Sequence, residues 1–108
     1  MSDMTVYPVG TWFAVFASIR TSVDNGYYST NDDLLDHLRT MPGFLGHDSA
    51  RGDDRLGITV AYFDSDESIR EFRELGSHRD AQKRGRSEWY ETYSIHVGQV
   101  TRSYGFPR

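Results

Sequence analysis

The pattern of apolar side chains along residues 11–20 predicts a β-strand that is covered on both faces. Aromatic and β-branched residues favour strands, and successive side chains of a strand point to opposite faces. Two apolar sets alternate along this segment: Phe13, Val15, Ala17 and Ile19 on one face, and Trp12, Ala14 and Phe16 on the other. Because both sets are apolar, neither face of the strand suits contact with water.

A helix is predicted to begin near Asn31 and to end before Pro42-Gly43. Asp32 and Asp33 favour its start, because the positive end of the helix dipole attracts acidic side chains. A single apolar stripe follows at helical spacing, made of Leu34, Leu35, Leu38 and Met41. The preceding segment, residues 21–29, contains a Gly26 turn signal and is predicted to be a loop that includes Tyr27 and Tyr28.

The second half of the chain predicts two strands, an interrupted helix and a last strand. In chain order these are strands over 44–51 and 56–64 around a turn at 52–54, a helix from about 64, a second helical piece over 77–85, and a strand over 93–104. Asp64, Ser65 or Asp66 can cap the helix, and Gly76 is expected to interrupt it. Gly98 is expected to mark an irregularity in the last strand.

The order β-α-β-β-α-β predicts an α+β fold of the ferredoxin-like type, with a four-stranded antiparallel sheet and the helices on one face. No linker or repeat divides the chain, so residues 1–108 are expected to form one domain. Helices on one face leave the other apolar face exposed, and a large exposed apolar patch marks an interaction surface. A second copy of the same sheet would cover that face, so the pattern predicts a homodimer.

Composition and charge argue against several classes of protein. Of the 108 residues, 37% are hydrophobic and 26% are charged, which is typical of a globular domain. The net charge of −4 argues against nucleic-acid binding, and no apolar run is long enough for a membrane-spanning helix. The absence of cysteine excludes disulfides, thiolate nucleophiles and cysteine-based metal sites. Since the N-terminus also lacks the pattern of a secretion signal, the cytoplasm is the expected location.

An ordered set of short motifs resembles the antibiotic biosynthesis monooxygenase family. The likeness extends from about residue 11 to residue 104, with the order and spacing of the family. Its parts are Met41-Pro42-Gly43-Phe44-Leu45-Gly46, Ser49-Ala50-Arg51, Gly57-Ile58-Thr59-Val60-Ala61-Tyr62-Phe63, His78, Ala81-Gln82, Gly85-Arg86 and Trp89-Tyr90. The resemblance implies a dimeric α/β barrel, in which two ferredoxin-like sheets face each other. It also implies oxygenation of an aromatic polyketide, from phenol to quinone, without flavin, haem or metal.

His78 and Arg86 are the candidate catalytic residues. A deprotonated phenol can itself pass an electron to oxygen, so the protein has to bind the ring, accept its proton and stabilise its anion. His78 can accept that proton near neutral pH, and Arg86, which lies in the family-like stretch, can pair with the anion. The alternatives are a surface or capping histidine and a solvent-exposed arginine.

Phe72, Trp89 and Tyr28 are the candidate substrate-binding residues. Phe72 stands where many relatives have a tryptophan, so it keeps an apolar wall and loses an N–H donor. Trp89 can wall a cavity, and Tyr28 can close over the mouth of one. For each of them, a role in the core or at a dimer contact is the alternative.

Two other functions stay open. A dimer of this fold can bind a small molecule without turning it over. Haem degradation is the second rival, because relatives with that activity have an iron-binding histidine about ten residues after the tryptophan of the second helix, and Gln82 stands there in this chain. Glutamine is a poor haem ligand. His37, His47 and His96 do not have the spacing of a local metal site, so no metal is expected, although a site assembled across the fold stays open. The family resemblance implies that no other cofactor is needed.

Overall fold

The computed structural model describes residues 4–106, which form one sheet with helices on one face. In chain order the elements are β1 (Trp12–Arg20), α1 (Tyr27–Thr40), β2 (Phe44–Arg51), β3 (Leu56–Phe63), α2 (Asp66–Glu74), α3 (Gly76–Arg84), the π-helical segment Gly85–Trp89 and β4 (Tyr90–Gln99). All strand pairs are antiparallel, in the order β2-β3-β1-β4. The predicted α+β ferredoxin-like fold is confirmed.

The helices cover the face to which the even-numbered residues of β1 point. Two buried clusters join the layers: Leu38, Phe63 and Ile69 with Trp12 and Ala14 packed against them, and Tyr27, Ala81 and Trp89. Burial of a large apolar side chain stabilises a fold by about 1.5–3 kcal/mol. These clusters therefore fix all three helices on the same side of the sheet.

The opposite face of the sheet is apolar and only partly covered. It presents the odd-numbered residues of β1, from Phe13 to Ile19, and their cross-strand partners on β3. One of these partners, Ile58, is 47% exposed. Near one end of the face, the ring of Tyr7 stacks on Tyr62 with 3.8 Å between centroids. Both apolar faces predicted from β1 are thus present, and the odd-numbered set is the one that faces away from the helices.

Helix α1 begins one turn before the predicted start at Asn31, so the expectation of a loop at Tyr27 and Tyr28 was wrong. The chain enters the helix from Gly26, whose φ of 80° is a left-handed conformation that glycine adopts readily. Tyr27 belongs to the helix because its ring packs edge-on against Trp89, with 5.7 Å between centroids. This long-range contact extends the helix beyond the local apolar stripe.

Strand β4 begins and ends earlier than predicted, at Tyr90 and Gln99. The irregularity in its pairing with β1 lies between Ile19 and Arg20 and not at Gly98. Gly98 stays in register with Phe13. A Cβ added to Gly98 would lie 2.7 Å from Cζ of the Phe13 ring. This glycine therefore makes room for an aromatic ring and does not interrupt the strand.

The second helical region is interrupted as predicted, but the break lies at Leu75 and not at Gly76, which is the first residue of α3. Helix α2 is capped by Ser65, whose Oγ accepts a hydrogen bond of 3.1 Å from the backbone N–H of Ser68. Leu75 is extended, with φ −60° and ψ 135°, and α3 begins directly after it. The break brings the last turn of α2 and the first turn of α3 together, so Phe72 and His78 are neighbours.

Candidate functional site

A cavity of about 540 Å³ lies between the helix-covered face of the sheet and helices α1, α2 and α3. Its walls are mainly apolar, and on the sheet side they include Ile95 and Val97, whose exposed fractions are 45% and 49%. Sites for small molecules are commonly concave, mostly apolar and of this size. The volume and lining suit a planar aromatic molecule.

His78 lies on the cavity wall, and its imidazole is stacked on the ring of Phe72. The two centroids are 4.3 Å apart and the planes are inclined by 22°. Its Nδ1 is buried and has no hydrogen-bond partner in residues 4–106. Burial lowers the pKa of His78, the charge of Arg73 lowers it further, and the Phe72 backbone opposes the shift only in part. The imidazole is therefore neutral at neutral pH and can accept a proton.

Trp89 and Tyr90 form an aromatic end wall of the cavity. Trp89 is 2% exposed, and its indole N–H donates a hydrogen bond of 3.1 Å to the carbonyl of Asn25. Trp89 therefore closes one end of the cavity with little free ring surface, and its N–H is already used. Tyr90 packs edge-on against Tyr27, and burial together with the Tyr27 hydroxyl raises the pKa of Tyr90. Tyr90 stays protonated and can donate a hydrogen bond.

Arg86 and Tyr28 lie outside the cavity wall. Arg86 is exposed, and its Nε donates a hydrogen bond of 2.7 Å to the hydroxyl of Tyr93, which does line the cavity. Tyr28 lines a different, polar pocket beside Arg20. The structure thus brings Phe72, His78 and Trp89 together around one cavity, and it places the other two candidates elsewhere.

Sequence reasoning missed the cationic and hydroxyl groups of the cavity. Arg73 and Tyr90 line it, and so does Gln82, which the sequence singled out only as a poor haem ligand. Tyr90 could have been found from the family-like Trp89-Tyr90 pair. Arg73 carries no comparable signal, since it lies in a helix that is charged along most of its length.

Across residues 4–106, no three His, Asp or Glu side chains lie close enough together to hold a metal ion. No helix in the same range is long and apolar enough to cross a membrane. The expected cytoplasmic location stays a prediction.

Comparison with known proteins gives a relative by sequence and several by structure. YqjZ of Bacillus subtilis (strain 168), an uncharacterized protein, is 38% identical over 103 residues, which cover 94% of this chain and 90% of YqjZ. No family model matches the sequence. SnoaB from Streptomyces nogalater, a cofactor-independent oxygenase, superposes with a TM-score of 0.72 at 13% identity, over 86% of this chain and 95% of SnoaB. A proposed antibiotic biosynthesis monooxygenase from Caulobacter crescentus CB15 gives a TM-score of 0.73 at 12% identity, over 89% of this chain and 94% of that protein.

The sheet, the helices on one of its faces and the cavity between them define a protein with the fold of the antibiotic biosynthesis monooxygenases, as the resemblance implied. Within that fold the sequence match extends over almost the full chain, and the protein belongs to the same family as YqjZ.

Proposed function

We propose that this protein is a monooxygenase that oxidises a phenolic, polyketide-like aromatic substrate with molecular oxygen and no cofactor. The observation that carries the proposal is an apolar cavity with aromatic walls that includes one half-buried, neutral imidazole, whose Nδ1 has no hydrogen-bond partner among the described residues. The shared fold with SnoaB, a cofactor-independent oxygenase, supports the same class of reaction. A fold alone does not determine a reaction, so the proposal is argued from the cavity.

The reaction needs a base and a path for the electrons to oxygen. His78 takes the proton of the substrate hydroxyl, and the phenolate passes one electron to O₂. The two radicals combine to form a carbon–oxygen bond at a ring carbon that carries hydrogen, and loss of water leaves the quinone. One oxygen atom stays on the ring, and the other leaves as water with two hydrogens of the substrate, so atoms and electrons balance.

The remaining groups hold the substrate and stabilise its anion. Phe72 fixes the plane of the His78 ring by stacking, and Trp89 closes the end of the cavity that holds the substrate. Tyr90 donates a hydrogen bond to the developing anion, and Arg73 supplies positive charge. Arg86 acts indirectly in this scheme. It donates a hydrogen bond to the hydroxyl of Tyr93, which lines the cavity, and does not reach the cavity itself.

Turnover of a hydroxyanthrone-type phenol in air-saturated, metal-free buffer tests the proposal. Oxygen uptake together with quinone absorbance above the protein-free rate supports it. Quenching of tryptophan fluorescence by the same phenol without any turnover overturns it in favour of a non-catalytic small-molecule-binding dimer. A Soret band that forms with haemin and disappears with a reductant overturns it in favour of haem degradation.

We also propose that the protein is a homodimer in which a second copy covers the apolar face of the sheet. That face continues across β1 and β3, and Leu56 and Ile58 on it are 43% and 47% exposed. An apolar sheet surface of this kind is unfavourable in water and marks an interface. Two such faces packed together give the dimeric α/β barrel that the sequence resemblance implies, with the cavity of each chain on the outside.

A further inference from the structure

A second pocket, of about 300 Å³, lies where β1 ends and the turn between β2 and β3 begins. It shares no lining residue with the cavity that contains His78. Three guanidinium groups, those of Arg20, Arg51 and Arg55, line it together with Tyr28. This pocket is polar, whereas the cavity is mainly apolar.

The positive charge of this pocket is not balanced by the protein. Among residues 4–106, none of the three arginines forms an ion pair. Asp24 is the only carboxylate on the described wall, and in the adjacent turn Asp54 accepts a hydrogen bond from the backbone N–H of Leu56. Arg20 is only 6% exposed, and a buried charge without a counter-charge is unfavourable. A bound anion would supply the missing charge.

Backbone and aromatic contacts hold Arg20 in place. Its Nη2 donates a hydrogen bond of 2.8 Å to the carbonyl of Val23, and its Nε donates one of 3.3 Å to the carbonyl of Trp89. The guanidinium also lies over the ring of Tyr27, 3.5 Å from the centroid. Its position is therefore fixed before any ligand arrives.

Arg51 is held just as firmly. It donates hydrogen bonds to the Ser18 Oγ at 2.7 Å and to the Ser18 carbonyl at 3.3 Å, and it also donates to the carbonyl of Arg55. Its side chain crosses the sheet over Gly57, where a Cβ would stand 2.4 Å from the guanidinium carbon. Gly57 thus makes room for the arginine. Donors fixed in advance bind an anion with little loss of side-chain entropy.

Arg55 has a backbone conformation that arginine disfavours. Its φ is 70°, in the left-handed region that glycine and asparagine adopt more readily. Within the described chain its side chain makes no hydrogen bond and no ion pair, so the guanidinium is free to bind a ligand.

We propose that this pocket binds the oxyanion group, carboxylate or phosphate, of a small molecule. Guanidinium groups recognise both kinds of group through paired, charge-assisted hydrogen bonds. The ring of Tyr28, which is 60% exposed beside the arginines, contacts the remainder of the ligand. The chain as a whole has a net charge of −4, so attraction of an anion depends on this local cluster.

Titration of the ¹⁵N-labelled protein with inorganic phosphate, and separately with benzoate, at constant ionic strength tests the proposal. Saturable amide shifts confined to residues 20–28 and 51–55 are expected for at least one of the two anions, and chloride at the same ionic strength should not produce them. Shifts with phosphate alone identify a phosphate ligand, and shifts with benzoate alone identify a carboxylate. Absence of saturable shifts with both anions overturns the proposal.

Arg55→Asn and Arg51→Gln separate the site from general charge effects. Asparagine tolerates the left-handed backbone, so Arg55→Asn removes a charge with little strain. Loss of one charge-assisted hydrogen bond should weaken binding roughly 10- to 100-fold in each variant. Arg102→Gln, at an exposed position outside the pocket, is the matched control and should bind as the wild type does. Unchanged affinity in Arg55→Asn, or an equal loss in the control, contradicts the assignment.

Discussion

At the scale of single residues, His78 owes its chemistry to burial. Its ring lies against Phe72 in a part of the wall that is shielded from water, where a positive charge is unfavourable. An exposed histidine is half protonated near pH 6.5, whereas the lowered pKa of His78 makes the neutral form the larger share there. A neutral imidazole beside an apolar cavity can accept the proton of a bound phenol, which is the role proposed for it.

Replacing His78 by alanine is expected to lower kcat by about 10²–10⁴-fold, the usual contribution of general acid–base catalysis. The measurement is the rate of quinone formation on a substrate that the wild type turns over. His37→Ala, at an exposed position of α1, is the matched control and should keep full activity. If His78→Ala also keeps the wild-type kcat, the imidazole is not the base.

The lowered pKa of His78 also determines the sign of a pH effect on stability. The unfolded chain binds a proton at this residue near pH 6.5, whereas the folded protein binds it only at lower pH. The contribution of His78 to stability is therefore complete above about pH 6.5 and is lost as the pH falls through the folded-state pKa.

Urea unfolding of the wild type and of His78→Gln, repeated between pH 7.5 and pH 5, checks this prediction. The free energy of unfolding should fall more steeply with decreasing pH in the wild type. Proton NMR should give a pKa for His78 below the ordinary histidine value of about 6.5. Parallel stability curves together with an ordinary His78 pKa would show that the ring is not shielded.

At the scale of elements, local patterns predicted β1, β2 and β3 closely, whereas the start of α1 and both ends of β4 were displaced. Alternation along β1 and the turn after β2 are properties of neighbouring residues, so the sequence contains them directly. The start of α1 depends on Tyr27 packing against Trp89, which is far away in the chain, and no local pattern includes that contact.

The candidate site divides in the same way. Phe72, His78 and Trp89 belong to one stretch of chain around a predicted helix break, and all three line the same cavity. The position of Arg86 beside Tyr93, and of Tyr28 beside Arg20, depends on how β4 and α1 pack. Tertiary packing decides the direction of those two side chains. Because no local pattern contains that information, the sequence analysis placed both residues at the cavity.

Replacing Gly26 by alanine tests why α1 begins at Tyr27, one turn before the start predicted from the sequence. A left-handed conformation costs a residue with a Cβ about 1–2 kcal/mol, so the free energy of unfolding should fall by that amount. The new Cβ would stand 3.4 Å from Nη1 of Arg84, at the end of a flexible side chain, so crowding adds little. Urea denaturation measures the loss, and Gly26→Asn should lose less because asparagine tolerates this backbone. An equal loss in both variants would mean that backbone conformation is not the cause.

At the scale of the whole molecule, the two faces of the sheet have different roles. The helix-covered face encloses the cavity of each chain, while the other face continues as an apolar surface across β1 and β3. A dimer formed through that second face would leave the cavities free for substrate. Assembly and ligand binding can therefore be changed separately by substitutions on opposite faces.

Replacing Ile58 by aspartate is expected to dissociate the proposed homodimer, whose mass is about 25 kDa for two chains of 12.4 kDa. Ile58 lies on the apolar face, and a carboxylate buried there without a partner costs several kcal/mol. Light scattering at micromolar concentration measures the mass of each variant. Lys83→Asp, exposed on α3, adds the same side chain on the helical side and should remain dimeric. If the wild type is a stable monomer, the proposed dimer is wrong. The apolar face would then be stable in contact with water, contrary to the argument for a second copy. An Ile58→Asp protein that stays dimeric shows instead that the two chains meet through another surface.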